Sequence, residues 1–315
     1  MTSGGWGEER APATEFEMIA ALRARWGDLA VGIGDDAAVL RVARGDRMVV
    51  STDAAVEHVH FRADWLTPRE VGYRAVTAAL SDLAAMAAAP SGVLVALQLA
   101  PRDREALMDI ADGIGDAVRA AGTVVLGGNL TAADALGITT TVLGSAYAPL
   151  MRGGARAGDV LYVTGRLGGP GAALRALRAG QAPAAAHRER FARPRARIAE
   201  ARWLATRGAT AAIDVSDGLA ADAAHLSAAS VCAVEIDVET VPVIDGAMRD
   251  DALGGGEEYE LLVAFRAPPD TAAFAERFGI PLTRVGRVVD GSADVRLLEG
   301  GRRVATPAGH DHFRR

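Results

Sequence analysis

The chain has 315 residues, of which 50% are hydrophobic, and its formal net charge is −6 at pH 7. This length is enough for two domains with separate cores, and the acidic balance argues against a general nucleic-acid-binding surface. No apolar run approaches the ~18 residues that a transmembrane helix needs, and residues 1–10 lack the pattern of a signal peptide. We therefore expect a cytoplasmic protein that binds neither nucleic acid nor membrane.

The single cysteine and the absence of lysine restrict the possible chemistry further. Cys232 is the sole cysteine, so an internal disulfide is impossible and a reducing, cytosolic setting is favoured. All 34 basic residues counted as Lys or Arg are arginine. A Walker A loop, a protein-kinase site and a Schiff base each need a lysine. If the protein transfers a phosphoryl group, metal ions and arginines must neutralise the phosphate charge.

The order of elements predicts a mixed α/β fold with two domains. Apolar spacing and terminal signals predict helices at residues 14–26, 68–89, 102–121, at a position after Gly168-Gly169, and at 216–229. Strands are predicted at residues 47–52, 92–99, 123–126, 137–147, 160–164, 211–214, 231–238, 259–265 and 282–288. The alanine-rich residues 182–186 are predicted to form a loop. The glycine-rich residues 153–159 mark the boundary between an N-terminal domain (1–150) and a C-terminal domain (151–315).

Five short motifs place a carboxylate or amide side chain beside glycine, serine or threonine. They are Gly-Ile-Gly-Asp-Asp (32–36), Ser-Thr-Asp (51–53), Ser-Asp (81–82), Gly-Gly-Asn (127–129) and Asp-Val-Ser-Asp-Gly (214–218). Oxygen ligands without nearby cysteine or histidine pairs suit a hard cation such as Mg²⁺, and small neighbours let a phosphate approach the backbone. Each motif alone is more typical of a turn or a helix cap than of a metal site. Together they favour a metal–nucleotide site.

The predicted elements place these side chains in two kinds of position. Asp53, Asn129 and Asp214 fall at the carboxyl ends of predicted strands, where open α/β sheets bind ligands, so we expect them on one rim. Asp82 lies inside a predicted helix between Leu80 and Leu83. A carboxylate in such an apolar stretch is costly unless it is paired or binds a metal, so Asp82 is predicted to be a metal ligand.

The whole set of motifs resembles the thiamine-monophosphate kinase family. Besides the motifs above, the resemblance is carried, in chain order, by Val-His-Phe (59–61), Ser-Asp-Leu-Ala-Ala-Met (81–86), Arg-Gly-Gly-Ala (152–155), Gly-Gly-Glu (255–257) and Asp-His-Phe (311–313). It covers nearly the whole chain, from about residue 16 to the C-terminus. The glycine–acid motifs are shared with aminoimidazole ribonucleotide synthetase and its other relatives, whereas the histidine-containing and Ser-Asp motifs are more specific to the kinase.

The resemblance implies a fold, a reaction and a set of site residues. The fold is that of a two-domain aminoimidazole ribonucleotide synthetase-like protein, whose N-terminal sheets pair into a barrel-like sheet in a homodimer. The reaction is phosphorylation of thiamine monophosphate to thiamine diphosphate by ATP, through direct in-line transfer without a protein nucleophile. The residues implied to hold several Mg²⁺ ions are Asp36, Ser51, Thr52, Asp53, Asp82, Asp214 and Asp217. Those implied to contact ATP are Gly128, Asn129, Arg152 and Ser216, and those implied to contact the thiamine phosphate are His60, Glu257 and His310.

Three positions depart from the family pattern and leave alternatives open. Asn129 replaces the usual aspartate, which removes one anionic metal ligand, and His310 replaces the usual aromatic residue. Glu258 is a milder change within Gly-Gly-Glu-Glu-Tyr-Glu-Leu (255–261). The alternatives are another ATP-using enzyme of the same superfamily and a weakly active protein that binds thiamine phosphates. Each assigned residue could also be structural, for example His60 as a solvent-facing strand residue.

Overall fold

Residues 15–30 and 42–307 are described by a computed structural model of the chain. The chain divides into two compact units, each made of several segments. Among the described residues, the first unit contains 15–30, 52–76 and 91–142, and the second contains 42–51, 77–90 and 143–307. Within the described residues, no helix is both long enough and apolar enough to cross a membrane.

Helices and strands alternate along the chain, which confirms the predicted mixed α/β class. The helices in the described residues are α1 (Glu15–Trp26), α2 (Pro68–Ala85), α3 (Leu107–Ala120), α4 (Gly169–Arg178), α5 (Ala185–Ala192), α6 (Ile198–Ala205), α7 (Leu219–Ser230), α8 (Arg249–Leu253) and α9 (Thr271–Phe278). The strands are β1 (Arg47–Val56), β2 (Ala89–Leu99), β3 (Val125–Ala132), β4 (Gly137–Ala146), β5 (Val160–Thr164), β6 (Ala209–Asp214), β7 (Ala233–Asp237), β8 (Leu261–Phe265), β9 (Leu282–Val289), β10 (Asp294–Glu299) and β11 (Arg302–Val304).

The strands form two open sheets. The four-stranded sheet has the order β1-β4-β2-β3, and the seven-stranded sheet has the order β11-β10-β7-β9-β5-β8-β6. In the larger sheet β7 and β10 are parallel, and the other neighbouring strands are antiparallel. Neither sheet closes into a barrel within the described part of the chain.

The prediction that Asp53, Asn129 and Asp214 share one rim is wrong. Asp53 and Asn129 belong to the four-stranded sheet, whereas Asp214 ends β6 of the seven-stranded sheet. Two of the three also lie inside strands, because β1 continues to residue 56 and β3 continues to residue 132.

The extension of β3 has a clear physical cause at Gly128. The parallel pairing of β3 with β2 runs on past the Gly-Gly pair, with Ala96 opposite Asn129. A Cβ atom at position 128 would lie 1.8 Å from the carbonyl oxygen of Val95, so only glycine lets the two strands approach this closely. The Gly-Gly dipeptide is therefore a contact point inside a strand and not a turn after it.

The alanine-rich segment predicted to be a loop contributes to helix α5. Residues 185–192 are helical, and they bury His187 and Phe191, which lie one turn apart on one face. Alanine has the highest helix propensity, so low sequence complexity misled the prediction. Pro183 stands just before the helix, which begins at Ala185.

A continuous apolar core supports one end of the seven-stranded sheet, where the acidic motif 214–218 begins. Strand β8, which lies between β5 and β6, is buried along its whole length, and Ile213 and Val215 belong to the same core cluster as Leu219 and Leu226 of α7. The buried thiol of Cys232 is also part of this cluster. Asp214 therefore lies at the end of a strand that is fixed by a buried apolar core.

Candidate active site

Asp214 is the centre of a group of acidic side chains in the second unit. It is 3% exposed and ends β6, and its Oδ2 accepts a hydrogen bond of 2.7 Å from the Ser81 hydroxyl. Ser81 lies on the part of α2 that belongs to the second unit and is itself fully buried. The strand end and the helix are therefore joined by a buried, charged hydrogen bond.

Asp82, the next residue of α2, faces a different neighbour. Its Oδ2 accepts a hydrogen bond of 2.5 Å from the hydroxyl of Ser51 on β1. Successive residues of a helix point about 100° apart, so one turn of α2 directs Ser81 to Asp214 and Asp82 to Ser51. The position of Asp82 inside a helix, as predicted, is confirmed.

The electrostatics of Asp214 show how close these groups are. Burial and, to a lesser extent, the negative charge of Asp82 together raise the pKa of Asp214 to about 6. The hydrogen bond from Ser81 and the guanidinium of Arg152 act in the opposite direction. Like charges raise a carboxyl pKa only when they are near, so Asp82, Asp214 and Arg152 form one electrostatic group.

The loop after β6 brings two further carboxylates to this group. Asp222, on the first turns of α7, is 1% exposed, and its Oδ2 accepts the backbone N–H groups of Ser216 and Asp217, both at 3.0 Å. Burial and the charge of Asp214 raise the pKa of Asp222 to about 8, although the bonds from the two N–H groups oppose the rise. Ligand atoms of Asp217, Asp222 and His225 lie within 4.8 Å of one another.

Arg152 reaches this group from a glycine-rich 3₁₀ turn at residues 152–154. Its side chain is exposed, while its carbonyl oxygen accepts a hydrogen bond of 2.7 Å from Ser230 at the end of α7. A Cβ atom at Gly154 would lie 1.9 Å from the carbonyl oxygen of Thr210, so glycine is required for this turn to pack on β6. The turn therefore places an exposed guanidinium beside an anionic cluster, which suits contact with a phosphate.

The segment 254–260 is hydrogen-bonded to the acidic loop formed by residues 214–218. Glu257 donates its N–H to the carbonyl oxygen of Ser216 at 2.8 Å, and its φ of 63° is unusual for a residue other than glycine. Tyr259 likewise has a φ of 53° and donates its N–H to Val215 at 2.9 Å. Strained backbone of this kind persists only where surrounding structure holds it.

Two buried glutamates, Glu258 and Glu260, flank Tyr259 and fix this strained backbone through contacts with arginines. Glu260 is fully buried and binds Arg197 through two hydrogen bonds of 2.8 and 2.5 Å, while Arg190 lies 2.8 Å away. Burial alone would raise the pKa of Glu260, but these guanidinium groups outweigh it and lower the pKa. Glu258 is 3.4 Å from Arg190, and burial raises its pKa to about 8. Glu258 is thus a buried contact beneath this segment, bonded to the N–H of Gly168 and close to Arg190.

The remaining predicted residues of the described chain lie in the first unit. The hydroxyls of Thr52 and Thr141 are 3.0 Å apart, and Asp53 is exposed with its Oδ1 accepting the N–H of Ala54. Asn129 is exposed on β3. His60 occupies a tight turn rather than a strand, and its Nδ1 accepts the N–H of Val56 at 3.0 Å. That bond leaves the proton of a neutral imidazole on Nε2.

Two predicted site residues, Asp36 and His310, lie outside the described residues. The structure describes the other predicted residues. Hydrogen bonds, electrostatic interactions and adjacency in the chain connect Arg152 with one group of them: Ser51, Asp82, Asp214, Ser216 and Asp217. Ser81 and Asp222 were not predicted from the sequence as site residues. Ser81 stood next to Asp82 in a motif already noted, and Asp222 follows Asp217 at a spacing of five that places it on the first turns of α7.

The donor set of the second unit fits a hard cation. Asp82, Asp214 and Asp217 offer carboxylate oxygens, and Ser51 and Ser216 offer hydroxyls, which are the ligand types that Mg²⁺ prefers. Burying like charges this closely is unfavourable without a compensating cation. The same residues present no paired sulfur ligands for a softer metal.

The fold and this acidic site define an AIR synthase related protein. Residues 34–146 match the family described as AIR synthase related protein, N-terminal domain, and residues 156–298 match AIR synthase related protein, C-terminal domain. Among curated relatives, thiamine-monophosphate kinase of Rhodopirellula baltica is 36% identical over an alignment of 300 positions, which covers 87% of this chain and 89% of that protein.

Two solved structures are similar over most of the chain. The crystal structure of thiamine-monophosphate kinase from Stenotrophomonas maltophilia has a TM-score of 0.81 and 32% identity, covering 92% of this chain and 98% of that one. The structure described as AaThiL complexed with AMPPCP and TMP has a TM-score of 0.74 and 29% identity, covering 98% and 100%. The chain belongs to the thiamine-monophosphate kinase family, which confirms the resemblance carried by its motifs.

The buried ionic anchor under residues 257–260 yields a stability prediction. Glu260→Gln leaves the Arg197 guanidinium buried without a full counter-charge, and we expect the free energy of unfolding to fall by about 3–5 kcal/mol. Because the folded state lowers the pKa of Glu260 below 4.5, the difference from wild type should be full above pH 4.5 and shrink as the pH falls below it. Urea denaturation at several pH values measures this.

Glu299→Gln is the matched control. It breaks the ion pair between Glu299 and Arg249, whose side chains are 47% and 45% exposed, respectively. The free energy of unfolding should fall by less than about 1 kcal/mol. Equal losses in the two variants, or a Glu260→Gln loss that does not depend on pH, would contradict the importance of the buried pair.

Proposed function

We propose that this chain transfers the γ-phosphoryl group of ATP to thiamine monophosphate, giving thiamine diphosphate and ADP. The observation that carries the proposal is the joined group of Asp82, Asp214 and Asp217 with Arg152 in a chain of the thiamine-monophosphate kinase family. The AaThiL complex with AMPPCP and TMP, an ATP analogue and the acceptor, supports the same pair of substrates.

The acidic residues act by holding cations against the nucleotide. We assign Asp36, Ser51, Thr52, Asp53, Asp82, Asp214 and Asp217 as the residues that would bind several Mg²⁺ ions. When bound, these ions neutralise phosphate charge. The chain lacks lysine, so this neutralisation falls to the cations and to arginine. The hydrogen bonds of Ser51 to Asp82 and of Ser81 to Asp214 fix the carboxylates before any ligand arrives.

The nucleotide contacts are assigned to Gly128, Asn129, Arg152 and Ser216. Arg152 is exposed and stands on a glycine turn, so its guanidinium is free to take a bidentate position on phosphate oxygens. Ser216 presents its side chain from a loop whose backbone is fixed by Glu257 and Asp222. Gly128 lets β2 and β3 approach closely beside Asn129, because a Cβ atom there would clash with the carbonyl oxygen of Val95.

The acceptor contacts are assigned to His60, Glu257 and His310. Glu257 lies on the strained segment that is bonded to Ser216, so the acceptor and nucleotide residues of the second unit share one backbone support. An oxygen of the acceptor phosphate attacks the γ-phosphorus, and the bond from that phosphorus to the bridging oxygen of ADP breaks. That acceptor oxygen is already anionic near neutral pH, so the chain needs no nucleophile or general base of its own.

We also propose a cytoplasmic homodimer with the domain boundary after residue 150, in which the four-stranded sheets of two copies pair into a barrel-like sheet. Exposed apolar side chains support this pairing: Met48 and Val50 on β1 are 51% and 56% exposed, and Leu94 on β2 is 36% exposed. Apolar side chains on an open sheet are typical of surfaces that another protein copy covers.

The phosphoryl-transfer proposal is tested by forming thiamine diphosphate from the monophosphate and ATP, with Mg²⁺ and with excess chelator. We expect activity only with the metal. Asp82→Asn should lower kcat/KM at least about 100-fold, because it removes a charged metal ligand while keeping the side-chain shape. Asp290→Asn, at an exposed position after β9, is the control and should keep wild-type activity. Full turnover in chelator would contradict the proposal.

The amide at position 129 gives a second test. If Asn129 lies near a bound cation, Asn129→Asp adds one negative charge in the same shape and should lower the half-saturating Mg²⁺ concentration. The apparent affinity for thiamine monophosphate should change little. Metal titrations of the initial rate measure both. An unchanged metal dependence would mean that Asn129 has only a structural role in β3.

The dimer is tested by light scattering at micromolar concentration, where we expect a mass about twice the 32.6 kDa of the chain. Val50→Asp puts a charge on the exposed part of β1 and should shift the mass towards that of a monomer. Val231→Asp changes a 77% exposed valine at the end of α7 and should leave the dimer intact. A monomeric wild type would refute the proposed pairing.

A further inference from the structure

We infer that Asp222 is a positioning residue, which fixes the acidic loop (residues 214–218) in the shape that presents Ser216 and Asp217 to the nucleotide and its cations. This inference rests on the proposed kinase function and adds a residue that the family motifs did not assign. Asp222 does not need to touch either substrate for this role.

The first support is the geometry of one carboxylate oxygen. Oδ2 of Asp222 accepts the N–H groups of two consecutive residues, Ser216 and Asp217, each at 3.0 Å. Two donors that converge on one acceptor fix the orientation of both peptide planes. The side chains of these two residues then have defined starting directions, as a preorganised binding loop requires.

The second support is that the other side of the loop is fixed as well. Val215 donates its N–H to the carbonyl oxygen of Glu260 at 2.7 Å and accepts one from Tyr259 at 2.9 Å, and the carbonyl oxygen of Ser216 accepts the N–H of Glu257. Gly218 closes the loop with a φ of 108°, and a Cβ atom there would lie 2.9 Å from the backbone of Gly254. Asp222 supplies the remaining attachment, from α7.

The third support is the electrostatic cost of this arrangement. Asp222 is 1% exposed and lies near two other carboxylates, those of Asp214 and Asp217. Asp222 lies inside α7 and accepts N–H groups of residues that precede the helix, so it is not the helix cap, which is Gly218. A buried carboxyl group placed among like charges is unfavourable for stability, so its presence fits a loop whose shape matters for cation and nucleotide binding.

The experiment compares Asp222→Ala with Asp222→Asn in the full-length protein. Alanine removes both hydrogen bonds, and we expect kcat to fall at least about 10-fold and the half-saturating concentration of MgATP to rise, with little change in the KM for thiamine monophosphate. Asparagine keeps a side-chain oxygen for the two N–H groups and should restore most of the kcat that alanine loses. His225→Ala should have no effect on kcat.

Asp159→Ala is the control for a general loss of stability. Asp159 is also a fully buried carboxylate, and it accepts the N–H of Arg156 at 3.0 Å and the hydroxyl of Thr210 at 2.9 Å, away from the acidic loop. It should lower the melting temperature without raising the half-saturating MgATP concentration. If Asp222→Ala behaves like Asp159→Ala, its role is only structural and the inference fails.

A direct metal-ligand role would give a different pattern. Asp222→Asn would then lose as much activity as Asp222→Ala, and His225→Ala would resemble both, because its ring lies in the same group of potential ligands. That result would also overturn the inference.

The rise in melting temperature caused by Mg²⁺ with AMPPCP measures binding without turnover, so it tests the role of Asp222 independently of the proposed reaction. If the wild type makes no thiamine diphosphate yet gains stability from Mg²⁺ and AMPPCP, the reaction proposal fails, and the size of this gain in the Asp222 variants still tests the inference. We expect alanine to reduce the gain and asparagine to keep most of it. A wild type that gains no stability overturns both.

Discussion

Mutual repulsion among buried carboxylates is the constraint on which this structure depends. Asp82 and Asp214 lie close enough for the charge of one to raise the pKa of the other, and Asp222 is affected by Asp214 in the same way. Folding the chain around these groups is unfavourable, and the protein offsets part of the repulsion with serine hydroxyls, backbone N–H groups and Arg152. A bound cation would offset the rest. A stable fold that keeps such a group is organised for binding rather than for maximum stability.

The elements around the group follow from this constraint. Helix α2 supplies Ser81 and Asp82 from adjacent positions, β6 ends at Asp214, and α7 carries Asp222 back to the loop between them. The segment 254–260 is bonded to that loop and is held from below by Glu260 with Arg197. Arginine performs every cationic role because the chain has no lysine, and its fork geometry suits both the buried pair at Glu260 and an exposed phosphate contact at residue 152.

Sequence reasoning located most of this group but not its connections. Asp82 could be singled out because a carboxylate in an apolar helix needs a partner, and Asp214 and Asp217 because they share a glycine–serine loop. Ser81 and Asp222 escaped notice because their roles arise from contacts over 133 residues and across a loop-to-helix turn. Gly127-Gly128 was interpreted as the end of a strand because glycine usually marks a turn. In the structure Gly128 instead permits the close approach of β2, a contact between distant segments that the local sequence does not reveal. The alanine-rich start of α5 was taken for a loop although alanine favours helices.

The central claim is that the carboxylates of the second unit hold a divalent cation beside a nucleotide. The most direct measurement is the concentration of free Mn²⁺, followed by electron paramagnetic resonance, as Mn²⁺ is titrated into AMPPCP with and without the protein. Mn²⁺ substitutes for Mg²⁺ at oxygen ligands and is observable when free. The account predicts that the protein removes more Mn²⁺ from solution than the nucleotide removes alone. Equal free Mn²⁺ in the two titrations would contradict it.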